Sequence, residues 1–226
     1  MFKTELGTFI NDDSANLIGQ IERPKLVLTD PPYLIGYTLW RKKGMAVVGD
    51  ISGNRKVIDI VLGYAEMLPD DGALYCFCSW KTVEVWKTEI EKVIPVKNII
   101  IWVKNNWTAG DLIAQYGQSY EMIIYAPKKK HMLKGTRIMD VWFYDRVKTH
   151  ERIHPTQKPE SVIERIILKS TEPGDLVLDP FAGSGTVAVV AERLNRRWIC
   201  IEINPEVYKR AIERLQNSMK NLCFNF

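Results

Sequence analysis

The segment LVLDPFAGSGTVAVVAERLNRRWICIEINPEV, residues 176–207, decides the fold of this chain. An apolar run ends at Asp179, and a glycine-rich turn follows it. A stretch with helical spacing then leads to a second apolar run, which ends at Glu202. Gly183 and Gly185 let the backbone turn tightly and approach a ligand closely. The segment therefore predicts a strand, a turn, a helix and a second strand, with an acidic residue at the end of each strand.

Strands and helices alternate along the rest of the chain. Apolar runs predict strands at 25–30, 73–79, 98–104, 120–126, 175–179 and 197–203. Helical spacing is found at 56–68, 80–93, 184–195 and from Pro159 and Pro205 onward. This pattern predicts an α/β fold, a mostly parallel sheet with helices on both faces. We expect one domain, residues 1–226, because no internal repeat or long linker interrupts the alternation.

Two cofactors are compatible with the glycine turn. Residues 183–188, GSGTVA, satisfy the loose Gly-x-Gly-x-x-Gly/Ala pattern, so an NAD-dependent enzyme is one alternative. Asp179 argues against it, because a carboxylate there would repel a pyrophosphate at the helix N-terminus. The same carboxylate suits the ammonium group of a methionine moiety, and Glu202 can bind a ribose diol. S-adenosyl-L-methionine, which has no phosphate, is the cofactor that these residues favour.

A second motif, LVLTDPPYLIGY at 26–37, ends another predicted strand. Neither proline can donate a hydrogen bond to a sheet, and both restrict the backbone. Asp30 and Tyr33 are therefore held at the carboxyl end of the strand, where ligands bind in parallel sheets. A bare Pro-Pro pair, taken alone, would favour a turn with a polar cap, so the rest of the chain must decide.

The positive charge of the chain is unevenly distributed. The net charge is +4, but residues 127–158 alone carry nine basic and three acidic residues. A second basic cluster follows the DPPY motif: Arg41, Lys42, Lys43, Arg55 and Lys56. A charge run is usually a solvated surface, but two runs beside a candidate site favour a polyanionic substrate.

Other features exclude several classes of protein. No apolar stretch is long enough for a membrane helix and no signal peptide is recognisable, so we expect a cytoplasmic protein. The cysteines form no paired zinc motif, and Cys76 and Cys78 are predicted to be core thiols. HERIH, 150–154, matches a zinc-protease pattern, but Pro155 disfavours the required helix. We predict no metal site.

Four motifs together resemble those of the amino-group DNA methyltransferases, which methylate N6 of adenine or N4 of cytosine. They are DPPY (30–33), HPTQKP (154–159), DPFAGSGT (179–186) and IEINPEV (201–207). Their order is similar to that of the group called beta, and the resemblance covers nearly the whole chain. It implies a Rossmann-like, S-adenosylmethionine-dependent methyltransferase fold.

The resemblance implies a role for particular residues in cofactor binding. Asp13, in a turn similar to the family's acidic turn, would contact the cofactor adenine. Thr156 and Lys158 would close over its methionine end, although a helix cap with an unrelated lysine is the alternative. The complete predicted set is Asp13, Asp30, Thr156, Lys158, Asp179, Phe181, Gly183, Gly185, Thr186 and Glu202.

The predicted catalytic residues are Asp30, Pro31, Pro32 and Tyr33. The Asp30 carboxylate and the Pro31 carbonyl would accept hydrogen bonds from the target amine, and Tyr33 would stack on a base flipped out of the duplex. An Asp at position 30 favours adenine, since N4-cytosine members often have Ser there. RNA and protein-glutamine methyltransferases more often have Asn. N4-cytosine methylation and a catalytically silent DNA-binding protein remain alternatives.

A basic insert at about 127–153 takes the place of the larger target-recognition region of such enzymes. Trp142, Phe143 and Tyr144 within it are suited to base stacking. A short target or relaxed specificity follows, unless the loops 34–56 and 104–119 contribute. The predicted DNA contacts are Arg41, Lys42, Lys43, Lys128, Lys129, Lys130 and Arg137.

Two further partners follow from the resemblance. Enzymes of this group often form dimers, so a homodimer is one expectation. The chain has no nuclease-like motif, so a separate restriction endonuclease is another.

Overall fold

The structure is a computed structural model that describes residues 1–33, 54–107, 112–147 and 157–223. Its strands are β1 Phe2–Lys3, β2 Gly7–Asn11, β3 Leu26–Thr29, β4 Ala73–Cys78, β5 Asn98–Val103, β6 Tyr120–Pro127, β7 Val141–Phe143, β8 Leu176–Asp179 and β9 Arg197–Glu202. Its helices are α1 Arg55–Met67, α2 Val83–Glu91, α3 Glu160–Ser170, α4 Thr186–Arg193 and α5 Pro205–Cys223. Each predicted helix and strand is present, and the sequence reasoning missed β1, β2 and β7.

The nine strands form one sheet in the order β1-β2-β9-β8-β3-β4-β6-β5-β7. The five strands from β2 to β4 in that order are mutually parallel, whereas β6 is antiparallel to both β4 and β5. The prediction of a mostly parallel sheet is therefore confirmed.

Helices cover both faces of the sheet, as predicted. Successive side chains of a strand point to opposite faces, and β3 shows this directly. Leu26 and Leu28 are buried beneath α3, α4 and α5, and Val27 is buried beneath α1 and α2. β3, LVLT, and β4, ALYCFC, are buried on both faces. Their sequences therefore do not alternate between apolar and polar residues. Cys76 and Cys78 are buried free thiols, as predicted.

The carboxyl ends of the parallel strands lie along one edge of the sheet, here called the carboxyl rim. Asp179 ends β8, Glu202 ends β9, and Asp30 follows β3 directly. β3 and β8 are neighbours in the sheet. The chain continues from β3 to β4 on one side and from β8 to β9 on the other side, so the crevice between β3 and β8 is a topological switch point. The antiparallel β6 begins at the same rim, so Glu121 also lies there.

The opposite edge of the sheet carries the first part of the basic insert. Lys128 and Lys130 follow the far end of β6, where their backbone N–H groups donate to Gly72 and Asp70, the residues that precede β4. Exposed Arg137 belongs to the same connection, which ends at β7. A six-residue strand such as β4 separates the two edges by about 20 Å. Contrary to the prediction from the sequence, Lys128, Lys129, Lys130 and Arg137 therefore do not flank the DPPY motif but lie at the opposite edge of the sheet. Their contact with DNA stays a prediction.

Trp142 is also corrected. It is 4% exposed in β7, and its indole N–H donates to the Met139 carbonyl at 2.8 Å. It cannot stack on a base, whereas its neighbour Phe143 is 72% exposed.

None of the helices within the described ranges combines the length and apolar character that crossing a bilayer requires.

Candidate active site

The two carboxylate oxygens of Asp30, at the carboxyl rim, have different surroundings. Its Oδ2 accepts from the ammonium of Lys158, which is buried. Its Oδ1 is buried and has no hydrogen-bond partner among the residues that the structure describes. Burial raises the pKa of Asp30, and the charge of Lys158 opposes that rise. A buried acceptor without a donor is unfavourable, so this oxygen is suited to an incoming N–H group.

Pro31 and Pro32 are buried behind Asp30, and they carry the chain to Tyr33. The Tyr33 hydroxyl donates to Glu121 Oε2 at 2.8 Å, and the Thr82 hydroxyl donates to the Tyr33 carbonyl at 3.0 Å. The tyrosine is thereby held at both its backbone and its outer end.

Glu121 is the residue that the sequence reasoning missed. Besides the Tyr33 hydroxyl, it pairs with Lys104 at 2.7 Å and with Lys158 at 3.4 Å. Burial acts to raise the pKa of Glu121, but the charges of Lys158 and Lys104, together with the hydrogen bonds from Lys104 and Tyr33, lower it to about 2. Its one signal in the sequence is a carboxylate at the start of the otherwise apolar run YEMIIYA.

The glycine turn and Glu202 form a second part of the rim. Glu202 Oε2 accepts from the Gly183 N–H at 2.9 Å, and Oε1 accepts from the Asn204 N–H at 2.8 Å. Gly183 has a φ of 49°, and a Cβ added there would meet no atom within 4 Å among the residues described. Hydrogen bonds therefore tie Glu202 to the turn, and no described atom fills the space beside Gly183, where a ligand can bind.

Asp179 adds a second buried carboxyl group to this part of the rim. It is 4% exposed, and its Oδ1 accepts from the Phe181 N–H at 3.1 Å. Burial, together with the charges of Asp30 and Glu202, raises its pKa well above the ordinary value. A pyrophosphate would meet these carboxylates at close range, whereas a cationic ligand would neutralise them. The residues present fit S-adenosylmethionine and do not fit NAD.

The other predicted cofactor residues have different surroundings. Asp13 follows β2 at the rim, but its carboxylate caps the turn Ser14–Leu17 and pairs with Lys56 at 2.6 Å. Thr186 is buried, and its hydroxyl accepts from Arg214 at 2.9 Å. Gly185 has a φ of 70° and approaches Phe9, so it shapes the turn from beneath. Phe181 is partly buried.

Several predicted residues lie outside the described ranges: Arg41, Lys42, Lys43, Thr156 and the HERIH segment. Within the described ranges, no group of three or more His, Cys, Asp or Glu side chains is arranged to hold a metal ion.

The sheet order, the glycine turn with its acidic partners and the DPPY motif define an S-adenosylmethionine-dependent methyltransferase. The family model described as DNA methylase, N6_N4_Mtase, matches residues 25–213, and the chain belongs to that family.

Curated relatives match most of the chain. The Type II methyltransferase M2.DpnII of Streptococcus pneumoniae is 32% identical over 86% of this chain and 83% of its own length. The DNA adenine methyltransferase YhdJ of Escherichia coli K12 is 28% identical over 95% of this chain and 84% of its own length.

Solved structures have the same fold. The M1.HpyAVI–SAM complex superimposes with a TM-score of 0.72 and 27% identity, covering 92% of this chain and 99% of that one. The cytosine-N4-specific PvuII DNA methyltransferase has a TM-score of 0.70 and 19% identity, covering 95% and 92%.

Proposed function

We propose that this protein transfers a methyl group to the exocyclic N6 of adenine in DNA. The observation that carries the proposal is the buried Oδ1 of Asp30, which accepts no hydrogen bond from any residue that the structure describes. It lies at the switch point of the sheet beside the Tyr33 ring, whose hydroxyl is bonded to Glu121. When bound, S-adenosylmethionine supplies a methyl group on a positively charged sulfur.

Asp30 is the acceptor for the target amine. The lone pair of an exocyclic amine is delocalised into the ring, which makes the nitrogen a poor nucleophile. Accepting its N–H hydrogens at Asp30 Oδ1 and at the Pro31 carbonyl favours a pyramidal nitrogen whose lone pair is free. The buried prolines fix these acceptors before the base arrives, so their orientation is not lost to motion. The amine loses one hydrogen as a proton for each methyl group that it gains.

Asp179, Glu202, Gly183 and Gly185 form the proposed cofactor site beside this pocket. The Glu202 carboxylate is oriented by two backbone N–H groups and is suited to a ribose diol. Asp179 faces the cationic end of the ligand. Asp13, Phe181, Thr156 and Lys158 stay predictions for this site.

The DNA must approach the carboxyl rim, because the target base has to reach Asp30. Lys81 is an exposed lysine just after β4, and the partly buried Arg146 lies near the end of β7. Trp80 and Trp107, which follow β4 and β5, are 46% and 72% exposed. Positive side chains and exposed aromatic rings are the groups that bind phosphates and unstacked bases. We therefore assign the DNA face to this rim and not to Lys128–Lys130.

Adenine is favoured over cytosine by position 30 and by one relative. Asp30 begins the DPPY motif, as in the adenine enzymes that this motif resembles. A relative named as an adenine methyltransferase aligns over 95% of this chain. Cytosine N4 carries the same kind of amine and is the alternative substrate. The Type II names of other relatives support a separate restriction endonuclease as partner. The homodimer, the single domain and the cytoplasmic location stay predictions.

Incubating the protein with DNA and S-adenosylmethionine, followed by mass spectrometry of the digested nucleosides, tests the proposal. We expect N6-methyladenine from the wild type. Asp30→Ala should reduce the rate by at least about 10²–10³-fold, the usual effect of losing a preorganised polar group, while cofactor binding persists. N4-methylcytosine would change the assigned base and keep the mechanism. Full activity of Asp30→Ala would refute the role of Asp30.

A further inference from the structure

We infer that Glu121 is a positioning residue for methyl transfer, holding Tyr33 through its hydroxyl and Lys158 through its ammonium group. The inference rests on the proposed function and concerns the same pocket. Glu121 comes from the antiparallel strand β6, whereas Asp30 and Tyr33 follow β3.

The first link is to Tyr33. A tyrosine ring can rotate about two side-chain bonds, and a ring that moves is a poor platform for a flipped base. The hydrogen bond to Glu121 Oε2, at 2.8 Å, fixes the outer end of the ring, while Thr82 fixes the backbone. The Asp30 carboxylate also acts on the Tyr33 hydroxyl. Loss of the Glu121 bond therefore leaves the ring in the pocket but removes one of the two carboxylates that orient its hydroxyl.

The second link is to Asp30 through Lys158. The Lys158 side chain is 7% exposed, and its ammonium is shared between Asp30 Oδ2 and Glu121 Oε2. An ammonium has three donors on one nitrogen. Without the attraction of Glu121, Lys158 can shift towards Oδ1 of Asp30, the oxygen that the target amine needs. Glu121 therefore keeps that acceptor available.

Lys104 completes the arrangement. Its ammonium lies 2.7 Å from Glu121 Oε1 and 5.4 Å from the ring centre of Trp102. The two lysines balance the two carboxylates, so the cluster is neutral as a whole. A buried charge needs such a partner, because an uncompensated one is strongly destabilising.

Glu121→Gln is the direct test, measured on the DNA site mapped for the wild type. Tyr33 and Lys158 contact one oxygen of Glu121 and Lys104 contacts the other. An amide has only one acceptor oxygen, so its N–H₂ group must face a donor on one side of the cluster, and the negative charge that attracts both lysines is lost. We expect kcat to fall by about 10–100-fold, since small misplacements cost up to about 10²-fold. The KM for S-adenosylmethionine should stay within about two-fold. Glu192→Gln is the matched control: Glu192 also accepts two side-chain donors, from Thr4 and Trp198, but lies away from the pocket. It should retain wild-type kinetics.

A double-mutant cycle with Tyr33→Phe separates positioning from a merely structural role. Tyr33→Phe removes the same hydrogen bond from the other side and should lower kcat by about 3–10-fold, with its ring still able to stack. In the Tyr33→Phe background, Glu121→Gln should cost less than it does in the wild type, because the shared bond is already absent.

The inference is overturned if Glu121→Gln has wild-type kcat. It is also overturned if the loss of kcat in the double variant equals the product of the losses in Glu121→Gln and Tyr33→Phe. If Glu121→Gln does not fold, wild-type kcat in Tyr33→Phe overturns the tyrosine link by itself. Asp30→Ala, assayed in parallel, distinguishes failure of the proposed function from failure of the role of Glu121. An active wild type with an inactive Asp30→Ala leaves the proposed function standing even when the role of Glu121 fails.

Discussion

Gly183 offers a sharp test of the cofactor site, because the chain contains a matched control. Gly183 and Gly174 both have a left-handed backbone, with φ of 49° and 86°, and a Cβ added to either meets no described atom within 4 Å. Each N–H also donates one hydrogen bond, to Glu202 and to the Asn195 carbonyl. Gly183 is at the carboxyl rim, whereas Gly174 precedes β8 at the opposite edge.

Replacing either glycine by alanine should therefore cost similar stability and differ in ligand binding. A left-handed non-glycine residue costs roughly 1–2 kcal/mol. For a chain of this size, each kcal/mol lowers the melting temperature by about 2–4 °C, so calorimetry should show a loss of about 2–8 °C in both variants. Titration calorimetry with S-adenosylmethionine should show at least about ten-fold weaker binding, or 1.4 kcal/mol, for Gly183→Ala alone. Equal affinity in the two variants would refute the placement of the cofactor above Gly183.

Two further predictions concern charge. Asp179→Asn should stabilise the protein without ligand by about 0.5–2 kcal/mol and weaken cofactor binding. Burial raises the pKa of Asp179 in the folded protein. The stability of the wild type therefore falls as pH rises above about 4, where this carboxyl group ionises in the unfolded chain. Denaturant unfolding should show that the difference in unfolding free energy between Asp179→Asn and the wild type grows from pH 4 to 7. Neutralising Lys81 and Arg146 should reduce the slope of log DNA affinity against log salt by up to about 2, whereas neutralising Lys128–Lys130 should leave it nearly unchanged. A larger effect of the lysine triplet would place the DNA at the far edge.

Much of the candidate site could be predicted because its information is local. The turn between β8 and α4, the acid at the end of β9 and the DPPY motif after β3 are each contiguous in sequence. Once the sheet is taken as parallel, the carboxyl ends of its strands must share one rim, and Asp30, Asp179 and Glu202 come together without further knowledge.

Strands that depend on distant partners were harder to predict. β2, GTFIN, is a short and partly polar segment that pairs with β9, almost two hundred residues away. β7, VWF, is three residues long and gains its place from β5. Neither has enough apolar residues of its own to indicate a strand.

The sequence by itself determined the α/β class, the glycine turn after β8 and the position of the DPPY motif at the end of β3, because short-range periodicity and backbone restriction encode them. Only the tertiary structure decided the direction of β6. That single reversal brings Glu121, at the start of the strand, to Tyr33 and Lys158, and it carries Lys128–Lys130 to the opposite edge. Strand direction depends on pairing and packing with segments far along the chain, and no local pattern records it.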